Sequence, residues 1–296
     1  MSRRIADNHP TMLTASGPIV CGVDFSEASR HALEFASAFA ARLGQSIVVV
    51  SAIDPLIAEA ASATLGPAFV ERVRTDLEGF VHESIGDRGG VSLLTPAGPA
   101  AKELLHAAAV TRAGAIAIGT EGLGRARRVV FGSTTLRVMR GADRPVLAVP
   151  PANEGAPDAG DIQQILCGVD FSDPSRAAAR EAVELGRYLN VPITLLHAVG
   201  RITMPSAWDV MLAPTDAERE ARATANIHAL AASFGPPEPR TVAAIAEAGE
   251  LMAREASPGT LVALGLGDLS GHRPGSTAMR IMADTHLPVL AVPRDL

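Results

Sequence analysis

Lysine is nearly missing from this chain: Lys102 is the only one, and every other strongly basic residue is arginine. A P-loop ends in Gly-Lys-Ser/Thr and a protein kinase sets a lysine on the phosphates, so Lys102, lying in GPAAKELL, serves neither. Cysteine is scarce too. Cys21 and Cys167 cannot build a disulfide framework, and each falls in an apolar run, where a thiol behaves as a small hydrophobe. Aromatic residues make up 3%, too few for a base-stacking surface. The net charge of −6 gives no footprint for nucleic acid or an anionic membrane. No apolar run is long enough to span a bilayer. There is no Gly-x-Ser-x-Gly elbow and no His-Glu-x-x-His, and the eight histidines show no metal-ligand spacing. No catalytic residue and no metal ligand is therefore assigned. The first stretch carries Arg3 and Arg4 but not the apolar core of a secretion signal, so a loose tail and a cytoplasmic protein are expected.

What the chain does have, it has twice. IVCGVDFSEASRHALEFA begins at Ile19 and ILCGVDFSDPSRAAAREA at Ile165, 146 residues on. IAIG, ending at Gly119, returns as VALG, ending at Gly265, at the same offset. RPVLAVP ends at Pro150 and LPVLAVP at Pro293, an offset of 143, so three residues are missing from one loop of the second copy. The period is far too long for a solenoid. The expectation is a tail over 1–16, a first domain over 17–150, a linker over 151–161 rich in Pro, Gly and acid, and a second domain over 162–296.

Within the first copy IVCGV, SIVVVSAI, VSLL, AIAIG and VLAV are nearly all apolar, as strands covered on both faces are. Between them run helix-period segments. One has Leu33, Ala36, Ala40 and Leu43 on a face and ends at Gly44; another has Phe69, Val73, Leu77 and Phe80; a third has Leu104, Leu105 and Ala108. Strands alternating with helices give an α/β fold with a parallel, doubly wound sheet. Ligands of such sheets sit beyond the carboxyl ends of the strands, where the strand order reverses.

One loop runs from a strand end to a helix start: GTEGLGRARRVVFGST, Gly119 to Thr134. The unpaired first-turn N–H groups and the helix dipole make such a place an anion site, and glycine lets the backbone approach phosphate. Ser133 and Thr134 can donate to phosphate or cap the helix. Arg125, Arg127 and Arg128 can face an anion or only water.

The pattern Gly119, two residues, Gly122, nine residues, Gly132-Ser133 resembles the ATP-binding motif of the universal stress protein family. VDFSEAS with Asp24 and Ser26, GPAAKELLHAAA and RPVLAVP resemble its first-strand turn, third helix and last strand. The resemblance covers both copies. It implies two five-stranded sheets and ATP, with Mg, between the first and fourth strands of a copy. It assigns the nucleoside end to Asp24, the adenine wall to Ala52, and the phosphates to Gly119, Gly122, Gly132, Ser133 and Thr134. It also implies that the last strands of the two copies pair as an intrachain pseudo-dimer, and it leaves room for a homodimer and an unidentified protein partner. Glu121 departs from it, standing where relatives often have His or Arg.

The second copy departs further. It reads GLGDLSGHRPGST from Gly265: Asp268 replaces the second glycine, and six residues rather than nine precede Gly275. Asp170, Gly265, Gly275, Ser276 and Thr277 keep their places. Asp24 and Asp170 also suit an Asx-type cap on the following helix. The leading reading is an ATP-binding regulatory or stress-response module. Its rivals are a slow ATPase or nucleotidyl-transfer enzyme on the same fold, and an interaction module without nucleotide.

Overall fold

The computed structural model describes residues 13, 17–65, 68–120, 132–151, 161–201, 214–267, 281 and 286–293. In the first copy they form β1 (Ile19–Gly22), α1 (Glu27–Leu43), β2 (Ile47–Val50), α2 (Pro55–Leu65), α3 (Ala68–Ile85), β3 (Val91–Leu94), α4 (Ala100–Thr111), β4 (Ala115–Gly119), α5 (Ser133–Gly141) and β5 (Val146–Val149). The second copy gives β6 (Gln164–Gly168), α6 (Asp173–Leu189), β7 (Ile193–Val199), α7 (Asp216–Ser233), β8 (Arg240–Ile245), α8 (Ala248–Glu255), β9 (Thr260–Gly265) and β10 (Val289–Val292).

All ten strands join one sheet in the order β3-β2-β1-β4-β5-β10-β9-β6-β7-β8. Pairing is parallel within each copy, as the βα alternation requires. The two halves meet antiparallel through β5 and β10, with Leu147 opposite Leu290. The two VLAV segments therefore complete each other's edges inside one chain. Two further bonds cross the join: Tyr188 Oη donates to the Leu43 carbonyl at 3.2 Å, and Arg42 to the Ile162 carbonyl at 2.8 Å.

Central strands are buried throughout and their side chains feed a core on each face of the sheet. Helices α1, α3, α6 and α7 cover one core, α4, α5 and α8 the other. Strand β3 differs from expectation: at the sheet edge it alternates half-buried and exposed residues, and Leu94 is 40% exposed. β2 stops at Val50, short of SAI, and Ile53 makes only an isolated bridge to Ala97. The three-residue shortfall is also not the whole difference between the copies. Val50 pairs with Leu94 and its counterpart Leu196 with Val242, so β8 lies 148 residues after β3. Two residues are thus gained before β8 and lost again before β9, where α8 has eight residues against twelve in α4. Within the stretch expected to be a loose tail, Leu13 is fully buried and its carbonyl accepts Gln45 Nε2 at 2.6 Å. The other residues of that stretch lie outside the described ones.

Candidate functional site

The strand order turns back at β1 and β4 in the first copy and at β6 and β9 in the second. The carboxyl ends of those strands open the crevice where a doubly wound sheet takes its ligand. Asp24 and Asp170 stand there, two residues past the ends of β1 and β6. Asp24 Oδ1 accepts the N–H of Ser26 at 3.1 Å and its hydroxyl at 2.5 Å. Ser26 in turn caps α1 by accepting the N–H of Ser29. Asp170, Ser172 and Ser175 repeat this turn in front of α6. The two aspartates thus brace the serines that cap the helices rather than capping them themselves, and both are exposed at the crevice. For Asp170, partial burial works to raise the pKa, but hydrogen bonds from Ser172 and Ser175 outweigh it and hold the carboxyl below its ordinary value.

The residue between aspartate and serine is left-handed in each copy, Phe25 at φ 63° and Phe171 at φ 65°. A bulky residue there costs about 1–3 kcal/mol. Aromatic contacts hold it: Phe25 meets Phe80 edge-on at 5.4 Å, and Phe171 lies on His197 at 4.6 Å. His197 itself is half-buried, with Nδ1 2.6 Å from the Val169 carbonyl, so it is a satisfied structural histidine. His31, on α1, is also half-buried, with Nδ1 2.8 Å from the Pro150 carbonyl.

Gly119 closes β4. An added Cβ there would meet the Ala28 carbonyl oxygen of α1 at 2.9 Å, so this glycine lets helix and strand approach. Gly265 has the same role with less room: its Cβ would strike the backbone of Pro174 and Ser175 in α6. Packing therefore accounts for these two glycines whatever they bind.

Gly132 is the N-cap of α5. Having no side chain, it leaves the helix start without a side-chain cap, and Ser133 is the exposed first helical residue rather than the cap. Thr134 follows, half-buried. The Gly132 N–H donates to the Thr120 carbonyl at 3.0 Å, and Thr135 Oγ1 to the Gly119 carbonyl at 2.8 Å, tying the helix start to the end of β4. Sequence reading passed over Thr120 and Thr135. Thr120 is 5% exposed and its hydroxyl has no hydrogen-bond partner among the described residues. Gly122, Glu121 and the arginines 125, 127 and 128 lie outside the described residues, as do Asp268, Gly275, Ser276, Thr277 and Trp208.

In the second copy the crevice holds a cavity of about 300 Å³ between the ends of β6 and β9 and the start of α8. Gly168, Asp170, Ala198, Glu247, Met252 and Gly265 are among its walls. Ala198 is the counterpart of Ala52, 146 residues earlier, which is half-buried just past β2. The volume is at the small end of ligand cavities, roughly 300–1,000 Å³. Among the described residues no group of His, Cys, Asp and Glu could hold a metal ion, and no helix is long and apolar enough to cross a membrane.

The model of the universal stress protein family matches residues 16–150 and again 161–293. The chain belongs to this family. Among solved structures, a universal stress protein from Archaeoglobus fulgidus is similar over 95% of this chain and 99% of its own, with a TM-score of 0.68 at 16% identity. One from Pseudomonas aeruginosa, assigned to the same family, is similar over 96% of this chain and 95% of its own, with a TM-score of 0.60 at 15% identity. A universal stress protein in complex with cAMP covers 47% of this chain and 99% of its own, with a TM-score of 0.37 at 19% identity. No curated protein sequence matches. The two long matches establish a tandem universal stress protein fold.

The described residues differ between the crevices of the two copies. In the first, α5 starts on a cap without a side chain, directly against the end of β4, with Ser133 exposed beside it. That start suits phosphate. In the second, the charged residues among the described walls of the cavity are both acidic.

Proposed function

We propose that this universal stress protein is a cytoplasmic regulatory module that binds ATP, as its Mg complex, in the first copy and does not depend on turnover. The observation that carries this reading is the bare start of α5 at the strand-order reversal, with Gly132 as cap and its N–H on the Thr120 carbonyl. Asp24 would hold the ribose hydroxyls, and Ala52 would lie against the base. Gly119, Gly122, Gly132, Ser133 and Thr134 would surround the phosphates, with first-turn N–H groups as donors. ATP would supply a highly charged ligand whose presence or absence shifts the conformation or partner choice of the chain. In the second copy Asp170, Gly265, Gly275, Ser276 and Thr277 form the corresponding set, weakened by Asp268 and the shorter loop.

Native mass spectrometry of the purified chain, followed by titration calorimetry with Mg-ATP, tests this. One Asp24-dependent site per chain, with no phosphate released over hours, is the expected result. Absence of any site, or steady turnover, would overturn it.

A further inference from the structure

We infer that the free edge of β3 joins the same edge of a second copy of this chain, antiparallel and across a two-fold axis, so that two ten-stranded sheets run on into one. The inference does not depend on what the crevices bind.

The two ends of the sheet are finished differently. β3 closes one end and β8 the other. β8 begins at exposed Arg240, directly after Pro239, and a charge and a proline are how an edge is kept from pairing. β3, VSLL, has neither. The Gly90 and Leu94 carbonyls accept the N–H groups of Ile47 and Ser51, so the alternate residues Val91, Leu93 and Thr95 turn their N–H and C=O groups away from β2. Val91 and Leu93 pack on the core of one face, whereas Ser92 and Leu94, on the other face, are exposed.

The apolar surface continues onto α2. The Ile53 N–H donates to the Pro96 carbonyl at 2.8 Å, and the Ile53 carbonyl accepts the Gly98 N–H at 3.0 Å, so α2 starts beside the end of β3. Its Leu56 and Ile57 are 76% and 57% exposed. A helix this apolar ordinarily lies against something.

Symmetry and charge select a second copy as that something. With Leu93 on the axis, Leu93 pairs with its own image, Val91 with Thr95, and Ser92 with Leu94. The outward N–H and C=O groups of all three residues are then used, and each Leu94 covers a Ser92 across the seam. Antiparallel pairing also sets the start of one β3 against the end of the other. At the start Arg88 is exposed, while the neighbouring Asp87 carboxylate lies 3.0 Å from His82 Nδ1. At the end stand Asp54 and Glu59, both exposed, and the stretch from Asp54 to Leu65 carries no cation. Opposite charges thus face each other twice, once on each side of the axis.

Sedimentation equilibrium of the full chain decides it. Wild type should be a monomer–dimer system without larger species. Leu94→Lys, on the exposed face, should raise the dissociation constant at least about tenfold with an unchanged circular dichroism spectrum. Arg88→Glu should weaken the dimer, and Asp54→Lys in the same chain should restore it. A second readout does not need the lysine variant to fold. The chain's own two thiols are buried, so oxidising a mixture of Ser92→Cys and Leu94→Cys chains should give a covalent dimer faster than either variant alone. A wild type that stays monomeric at its highest soluble concentration overturns the inference, as does a dimer indifferent to Leu94→Lys or equal cross-linking rates in the mixture and the single variants. Growth past the dimer overturns it too, because β3 would then meet β8 of the next chain in an open series.

Discussion

The carbonyl of Thr120 accepts the N–H of Gly132 at 3.0 Å, while the hydroxyl of the same threonine is buried with no partner among the described residues. An unsatisfied buried hydroxyl costs about 1–3 kcal/mol. Thr120→Val keeps the side-chain shape and removes the orphan, so the ligand-free chain should gain about that much in chemical denaturation. A loss of stability would mean that the hydroxyl is satisfied in solution.

Gly265→Ala should destabilise the second copy by about 1–3 kcal/mol or more, because the added methyl strikes the backbone of Pro174 and Ser175 and no rotamer relieves it. Gly168→Ala meets only the ends of Leu264 and Met252, 2.8 Å away, which can swing aside. Denaturation midpoints should rank the two variants in that order, and equal costs would contradict the packing argument.

Gly132→Ala should leave the circular dichroism spectrum unchanged, since φ −55° and ψ 145° suit any residue. ATP affinity should nevertheless fall at least about tenfold, because a Cβ would stand at the start of α5. Ser133→Ala removes one hydroxyl bond to a charged oxygen, worth roughly 1.5–3 kcal/mol, or about ten- to a hundredfold in affinity. Unchanged titrations for both variants would remove α5 from the site.

Asp170 gives a pH dependence of known sign. Its folded-state pKa is depressed below the ordinary 3.8, so it contributes stability that is fully present above about that pH. The contribution is lost as pH falls through the depressed value. Asp170→Asn should therefore be less stable than wild type at neutral pH, and the gap should close in acid. Urea midpoints measured from pH 7 downward check this; a gap that widens in acid would reverse the assignment.

Burial pushes both cysteine thiols up to about 12. The folded chain should show no reaction with a thiolate-specific reagent at pH 8, and two equivalents should appear in denaturant. Fast labelling of the native chain would mean that a strand edge opens.

Much of this architecture is written in local pattern. The duplicated VDFS turns, the helix starts at Ser26 and Ser172 and the apolar strand runs need only neighbouring residues to act, and each was readable. Features that depend on two distant segments meeting were not. The packing role of Gly119 and Gly265 arises from the approach of α1 and α6, which sequence does not state. The partner of His31 is 119 residues away. Helix α2, with Leu56 and Ile57 exposed, lacks the periodic apolar face that marks the others. The burial of the Thr120 hydroxyl, with no partner among the described residues, is likewise a product of the fold.

The antiparallel meeting of β5 with β10 has an evolutionary side. When two separate, identical chains join through one two-fold contact, every substitution appears on both sides at once. Here the partners are covalently attached, which holds them together at any dilution and lets each half mutate alone. The seam can stay matched, Leu147 against Leu290, while one ligand pocket drifts from the other. A covalent join of this kind frees the two halves of one sheet to diverge while the seam between them stays matched.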